Sequence, residues 1–492
     1  MNSHPSPHLV RVLGPWMAIA IVIGTVIGSG VFKKGKNVAE NVPEFGLAIS
    51  VWVLGGVLAL LGSLAIAEVA VLFPRAGGSY VFLREAYGRC AGFLWGWVDF
   101  WIIRAASIAA LGTMFTESLH DILRQALTTD GQEVLTFWTR QAITIGVIGV
   151  LTMLNARGTR LGGSMQVAIT TVKIASLLLI IGLPIAVLAL VNAPANPPEF
   201  RRLSPILPSG FSAIDWGRYG AALVGVLWAY HGWMNITPVA EEVREPQRNI
   251  PLALIGGVLA LIVLYCGANF AYYLVIPRIE MAGLNNTPVA TEFCLRLLGP
   301  VGGVVASGML LVSVFGALNG NLLVGPRLLY AMGKDGLAPR RLSTLHQRFN
   351  TPMVAGIVLS LWASLMLILV GVLTQNRLPT LSLFGGVLDV NLPDKKSPFD
   401  VITDFCVFGA VVFETLSVAS IFVFRWKIPP TAENRAYRCW GYPVVPIVYV
   451  LIMAAVLSNM FATPHQRSEA VVGMVFIGIG ALVYGLFLRR AR

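Results

Sequence analysis

Two short stretches have the residue types to hold a small molecule that carries both charges. One is Gly24-Thr-Val-Ile-Gly-Ser-Gly30, with three glycines in seven residues of the apolar run LGPWMAIAIVIGTVIGSGVF. The other is Trp228-Ala-Tyr-His-Gly-Trp233, followed by Pro238. Glycine costs a helix about 1 kcal/mol relative to alanine. Proline removes a backbone donor and clashes with the preceding turn. Both stretches therefore predict helices that come apart part-way. Unwinding exposes N–H groups at the new helix start, where partial positive charge suits a carboxylate. It exposes carbonyls at the preceding helix end, which suit an ammonium. One break thus offers both halves of a zwitterion site with no charged side chain. The glycines admit a second reading, because Gly24 and Gly28 also form a G-x-x-x-G helix-contact motif.

The elements that hold these stretches lie in a membrane. Of 492 residues, 56% are hydrophobic and 12% charged, too few charges for a water-facing surface. Apolar runs of about 20 residues recur, each able to cross a bilayer core. The sequence predicts an all-α polytopic membrane protein with about 12 transmembrane helices. They fall at 12–38, 46–73, 91–116, 137–155, 162–191, 213–240, 251–276, 300–332, 353–373, 403–424, 443–462 and 470–489. We number them spans 1 to 12. The first run is too long for a signal segment and leads straight into further spans.

Spans 1 and 6 hold corresponding places in two five-span halves. Paired interrupted helices at such places point to a midplane binding site in a transporter built from repeats. Because five is odd, the repeats are inverted. The domain plan is one transport domain over residues 1–492: repeat 1 at 10–192, repeat 2 at 213–424, and an appended pair at 443–490.

The net charge of +12 invites a nucleic-acid reading, but its placement points to a membrane surface. Arg75, Arg84, Arg89, Arg157, Arg160, Arg244, Arg248, Lys334, Arg340 and Arg341 all fall on the side of the termini. The opposite loops carry fewer cations, among them Lys33, Lys34, Lys36, Arg201, Arg202, Lys395 and Lys396. The positive-inside rule puts both termini in the cytoplasm. The five cysteines form no C-x-x-C pair, so neither a metal site nor a disulfide framework is expected, and no cofactor is implied. No Ser/His/Asp, HExxH or paired-carboxylate pattern suggests an enzyme.

Several polar residues remain. His231 is a candidate proton carrier or a neutral hydrogen-bonding residue of the site. Glu68 is expected to pair with loop arginines such as Arg75. Glu241 and Glu242 are gate partners or a solvated helix end. Asp99 and Arg104 read as a structural network, although five residues apart they are poor partners on one α-helical face.

GTVIGSGVF resembles the first-span signature of the amino acid–polyamine–organocation superfamily, in particular its L-type and bacterial amino acid permeases. AIAEVAVLFPRAGGSYVFLREAYG, WAYHGWMNITPVAEEVREPQRNIP and LNGNLLVGPRLLYAMGKDGLAP are similar to that family's second, sixth and eighth spans with their loops. The resemblance implies a LeuT-type 5+5 inverted repeat with broken helices 1 and 6. It implies transport of L-amino acids, neutral ones favoured, across the cell membrane by alternating access. Exchanger, facilitator and proton symporter all stay open.

By position, the Gly28, Ser29 and Gly30 backbone with the Ser29 hydroxyl holds the substrate carboxylate. The carbonyls of Val26, Trp228 and His231 hold its amino group. Trp228 is the aromatic gate, and Trp233 is a weaker candidate. His231 and Met234 depart from the pattern of many relatives, which bears on substrate preference.

Lys173 falls at the family's lysine of span 5. Sodium-coupled relatives use a hydroxyl pair on span 8, where this chain has only the separated Ser307 and Ser313. Lys173 is therefore expected to replace the ion at the span 1 break, or to carry a proton, and transport is expected to be independent of sodium. The loop between spans 3 and 4 has no cysteine, so no disulfide-linked heavy chain is expected. An amino acid sensor on the same fold is the alternative function. The short termini disfavour it.

Overall fold

The structure, a computed structural model, describes residues 8–488 except 128–132, 192–195, 211, 213, 286, 376–380, 384–385, 389–397 and 429–435. Lys395 and Lys396 lie outside the described residues.

Eleven helical stretches among the described residues are long and apolar enough to cross a bilayer. They are Pro15–Lys33, Phe45–Leu72, Arg89–Leu127, Phe137–Ala156 and Thr159–Leu190 (spans 1 to 5), Pro246–Val275 (span 7), Pro300–Lys334 (span 8), Met353–Leu373 (span 9), Val407–Lys427 (span 10), Val444–Ala462 (span 11) and Gln466–Leu488 (span 12). Span 6 makes the twelfth crossing. Its helix, Trp216–Tyr230, has 15 residues. That gives about 22 Å at 1.5 Å per residue, short of the bilayer core. Turns over 231–236 and a 3-10 helix, Thr237–Glu242, complete it. A two-stranded antiparallel hairpin, Leu381–Leu383 with Gly386–Leu388, lies between spans 9 and 10; the apolar periodicity gave no sign of it.

The three glycines of span 1 do different things. The chain leaves the helix only over Ile27–Ser29, between Pro15–Val26 and Gly30–Lys33. Gly24 is still helical. A β-carbon there would stand 2.2 Å from Gln166 Nε2 and Thr170 Oγ1 of span 5. Gly30 faces span 6, where a β-carbon would stand 2.7 Å from Ala229 Cα. At Gly28 the nearest atom would be 3.4 Å away, an ordinary contact. Packing therefore explains Gly24 and Gly30, and unwinding belongs to Gly28. In span 6 the helix ends at Tyr230, and Gly232 turns the chain with φ +99°, which favours glycine.

Span 3 corrects one expectation. Asp99–Arg104 forms a π-helical turn within it. A π-turn closes i→i+5, so residues five apart come onto one face. Arg104 Nη2 lies 3.3 Å from Asp99 Oδ1, both buried. Glu68 is paired with an arginine, as expected, though Arg75 is not the partner. It pairs with Arg425 of span 10, at 2.7 Å and 3.0 Å, and accepts the Cys439 amide at 2.7 Å. Arg75 instead points to solvent beside Glu85. Arg425 stands at the end of span 10, against the end of span 2. Cys439, outside the spans, is buried, which pushes its thiol up to about 11 and keeps it unreactive.

Candidate functional site

The span 1 break is held by side chains from three neighbouring spans. Lys173 of span 5, fully buried, donates to the Gly24 carbonyl at 2.7 Å and the Ile27 carbonyl at 2.6 Å. These carbonyls belong to the end of a helix, which carries partial negative charge. Gly316 of span 8 makes room for the lysine: a β-carbon there would stand 2.6 Å from Lys173 Cε. Ser313 of span 8 donates to the Gly28 carbonyl at 2.9 Å and lies 3.2 Å from the Ile27 carbonyl. One serine and one lysine thus occupy the carbonyl end. Ser307 is buried farther along span 8.

The two breaks touch. Gly30 packs on Ala229, and the Tyr265 hydroxyl of span 7 lies 3.0 Å from the Val26 carbonyl and 3.2 Å from the Ala229 carbonyl. Val26 O also accepts the Gly28 amide at 2.8 Å, and Trp228 O accepts the His231 amide at 3.1 Å. Among the described residues no donor reaches the His231 carbonyl, and the Ser29 amide reaches no acceptor. The Ser29 amide and the His231 carbonyl are thus open main-chain groups, one on each break. Ser29 itself is buried.

Trp228 is stacked on His231, with ring centroids 5.7 Å apart and planes 10° from parallel. His231 Nδ1 lies 3.0 Å from Glu414 Oε1 of span 10, and the Trp233 indole donates to Glu414 Oε2 at 3.3 Å. A small cavity lies between spans 3, 6, 8 and 10. Its polar lining includes Ser79, Asp99, Arg104, His231, Asn235 and Glu414. Arg104 donates to Asn321 Oδ1 at 2.8 Å and Asn235 Oδ1 at 3.3 Å. It ties span 3 to the unwound part of span 6 and to span 8.

Glu242 stands apart from the breaks, at the end of span 6. Arg327 Nε of span 8 lies 2.8 Å from Glu242 Oε1, and both side chains are almost fully buried. Thr159, at the start of span 5, bonds both partners. The Glu242 carbonyl accepts the Val12 and Leu13 amides at 2.9 Å. Spans 1, 5, 6 and 8 are locked together there. Glu241 accepts the Ala76 amide at 3.0 Å, so it is not a solvated end either.

The structure thus brings Val26, Gly28, Ser29, Gly30, Trp228, His231 and Lys173 to one region and places Glu241 and Glu242 in a separate lock. Sequence reasoning passed over Tyr265 and Glu414. Tyr265 carries no signal among other membrane tyrosines. Glu414 carried one: a lone carboxylate in the apolar run GAVVFETLSVASIF.

The profile of the amino acid permease family matches residues 13–484. The chain is 30% identical over 489 residues to the serine/threonine exchanger SteT of Bacillus subtilis (strain 168), covering 98% of both. It is 28% identical over 482 residues to the b(0,+)-type amino acid transporter 1 of Homo sapiens, 98% of this chain and 88% of that one. It is 28% identical over 475 residues to the cystine/glutamate transporter of Homo sapiens, covering 96% and 84%.

Proposed function

The chain belongs to the amino acid permease family, and from that premise we propose sodium-independent transport of neutral L-amino acids by alternating access. It is an integral, multi-pass membrane protein that transports amino acids and is not an enzyme. The finer reading places it in the cell membrane with both termini in the cytoplasm. It builds the translocation path from two inverted repeats, spans 1–5 and 6–10. Exchange is the mode, and serine and threonine lead the substrate panel, on the likeness to a serine/threonine exchanger.

The observation that carries the proposal is the pair of touching breaks, with Lys173 seated on the carbonyls of one. The Gly28–Gly30 backbone and Ser29 receive the carboxylate. The His231 carbonyl, beside those of Val26 and Trp228, receives the ammonium. Trp228 closes over the substrate, and His231 bounds the space for its side chain. Glu241 and Glu242 close the cytoplasmic side.

Uptake of radiolabelled serine into proteoliposomes preloaded with amino acid tests the whole. Accumulation without preload, or none with it, rejects exchange. A sensor would bind without accumulation. Two finer outcomes are expected. Serine amide, lacking the carboxylate, competes at least tenfold more weakly than serine, and equal competition removes Ser29 from the carboxylate site. Gly30→Ala forces a β-carbon onto the Ala229 backbone, and overpacking of this kind costs about 1–3 kcal/mol. Uptake should fall by about tenfold or more at unchanged protein level, measured as initial rate per molecule; parental rates would exclude the close approach.

A further inference from the structure

The lock at Glu242 carries an outer rim of arginines. Arg160 follows Thr159 in the chain, and Arg244 stands just past Glu242. The Thr159 hydroxyl bonds the Glu242 carboxylate, so the lock itself brings the two arginines to one place. Arg11 joins them from the segment before span 1. Arg244 Nε donates to the Arg11 carbonyl at 3.3 Å, and the Arg244 amide donates to the Leu13 carbonyl at 2.9 Å. All three arginines are exposed. Among the described residues no carboxylate lies within ion-pair distance of any of them, Glu245 beside Arg244 included. Like charges gathered without a counter-ion repel one another. Arginine is also the side chain whose planar fork fits a phosphate.

The place is the membrane surface. Arg11 precedes the start of span 1 at Pro15, and Arg160 lies in the first turn of span 5. The two span ends touch: a β-carbon at Gly163 would stand 3.0 Å from Leu13 Cδ2 and 3.2 Å from Met17 Sδ. Beside this contact Trp16 is 76% exposed and Leu161 47%. Tryptophan at a span end sits at the headgroup level of a bilayer. Exposed apolar residues next to arginines without counter-ions match the two parts of an anionic lipid, its acyl chains and its headgroup.

We propose that Arg11, Arg160 and Arg244 hold the phosphate of an anionic phospholipid whose acyl chains lie against Trp16 and Leu161. The site shares no residue with the zwitterion site. A bound lipid ties Arg160 of span 5 to Arg244 after span 6, across the Thr159–Glu242 contact, and so favours the closed form of this face. That consequence alone rests on the transport reading.

The test uses the purified, delipidated full chain in a neutral detergent with tritiated dioleoylphosphatidylglycerol. Saturable binding and a raised melting temperature are expected. Dioleoylphosphatidylcholine, whose phosphate is neutralised by its own ammonium, should give neither. Inorganic phosphate at millimolar concentration should not displace the lipid. Among the described residues the Arg160 side chain has no partner, so Arg160→Gln removes a charge and breaks no bond. It should weaken binding about fivefold, and the double variant with Arg244→Gln about 30-fold. Arg201→Gln, on the opposite face, should leave binding unchanged. Melting temperatures without lipid show that each variant is folded. Equal binding of the phosphatidylcholine overturns the proposal, as does undiminished binding in Arg160→Gln, equal weakening in Arg201→Gln, or displacement by inorganic phosphate, which would mark a site for the free anion. Serine uptake is read separately, so a failure of transport leaves the binding result interpretable.

Discussion

Lys173→Ala is expected to abolish serine accumulation, while replacing sodium by choline in the uptake buffer changes nothing. The lysine ammonium meets two carbonyls at the end of the first half of span 1. Each buried carbonyl left without a donor costs about 1–3 kcal/mol. Losing the lysine leaves the Gly24 carbonyl without its donor and the Ile27 carbonyl with the longer Ser313 contact alone, a cost of about 1–3 kcal/mol, or a factor of about 5 to 150. Gly316→Ala attacks the same contact from the other side, since its β-carbon would stand 2.6 Å from Lys173 Cε. It should give a smaller loss of the same kind. Initial rates per folded molecule, in sodium and in choline, check both statements. A steep loss in choline, or full activity in Lys173→Ala, would refute the role assigned to the lysine.

The second large effect concerns the lock at Glu242. Arg327→Ala strands a buried carboxylate, and breaking such a pair costs about 3–5 kcal/mol. The pair joins spans 1, 5, 6 and 8, so the cost falls on the conformation in which that face is closed. Even about 3 kcal/mol shifts the balance between closed and open forms by about 150-fold. A cysteine introduced at Val243, now fully buried, should be labelled much faster by an impermeant maleimide in the Arg327→Ala background. Serine uptake should fall at the same time. Adding Glu242→Gln removes the stranded charge and should recover part of the protection. Unchanged labelling in the single variant would show that the pair does not hold the face shut.

The number and placement of the helices were legible because a bilayer allows few solutions: long apolar runs, each satisfying its own backbone. The two breaks were legible too, since glycine and proline weaken helices by a local mechanism. Position within a break was not. Gly24, Gly28 and Gly30 look alike in the chain and differ only in what lies opposite: Gln166 in close approach, Leu111 at an ordinary contact, and Ala229 in close approach. Asp99 and Arg104 read as a network and form one, but their direct pairing was discounted because α-helical spacing was assumed, and only the backbone shows the π-turn. Glu68 found Arg425, 357 residues away in sequence, a pairing fixed by how spans 2 and 10 meet. Tyr265 bridges two carbonyls from a span with no unusual feature, and no local pattern announces such a contact.

The lysine at the span 1 break has a thermodynamic consequence. A sodium ion at that place would enter from one side of the membrane and leave on the other, and its electrochemical gradient would drive the cycle. An ammonium fixed to span 5 by its own side chain travels nowhere. As long as it keeps its proton, it supplies charge to the break but no work to the cycle. Every tenfold of substrate concentrated on one side needs about 1.4 kcal/mol, and that work must come from another solute running downhill. In an exchanger that solute is the second amino acid. The distribution of one substrate across the membrane is then set by the distribution of the other, and the direction of flux reverses whenever their ratio does.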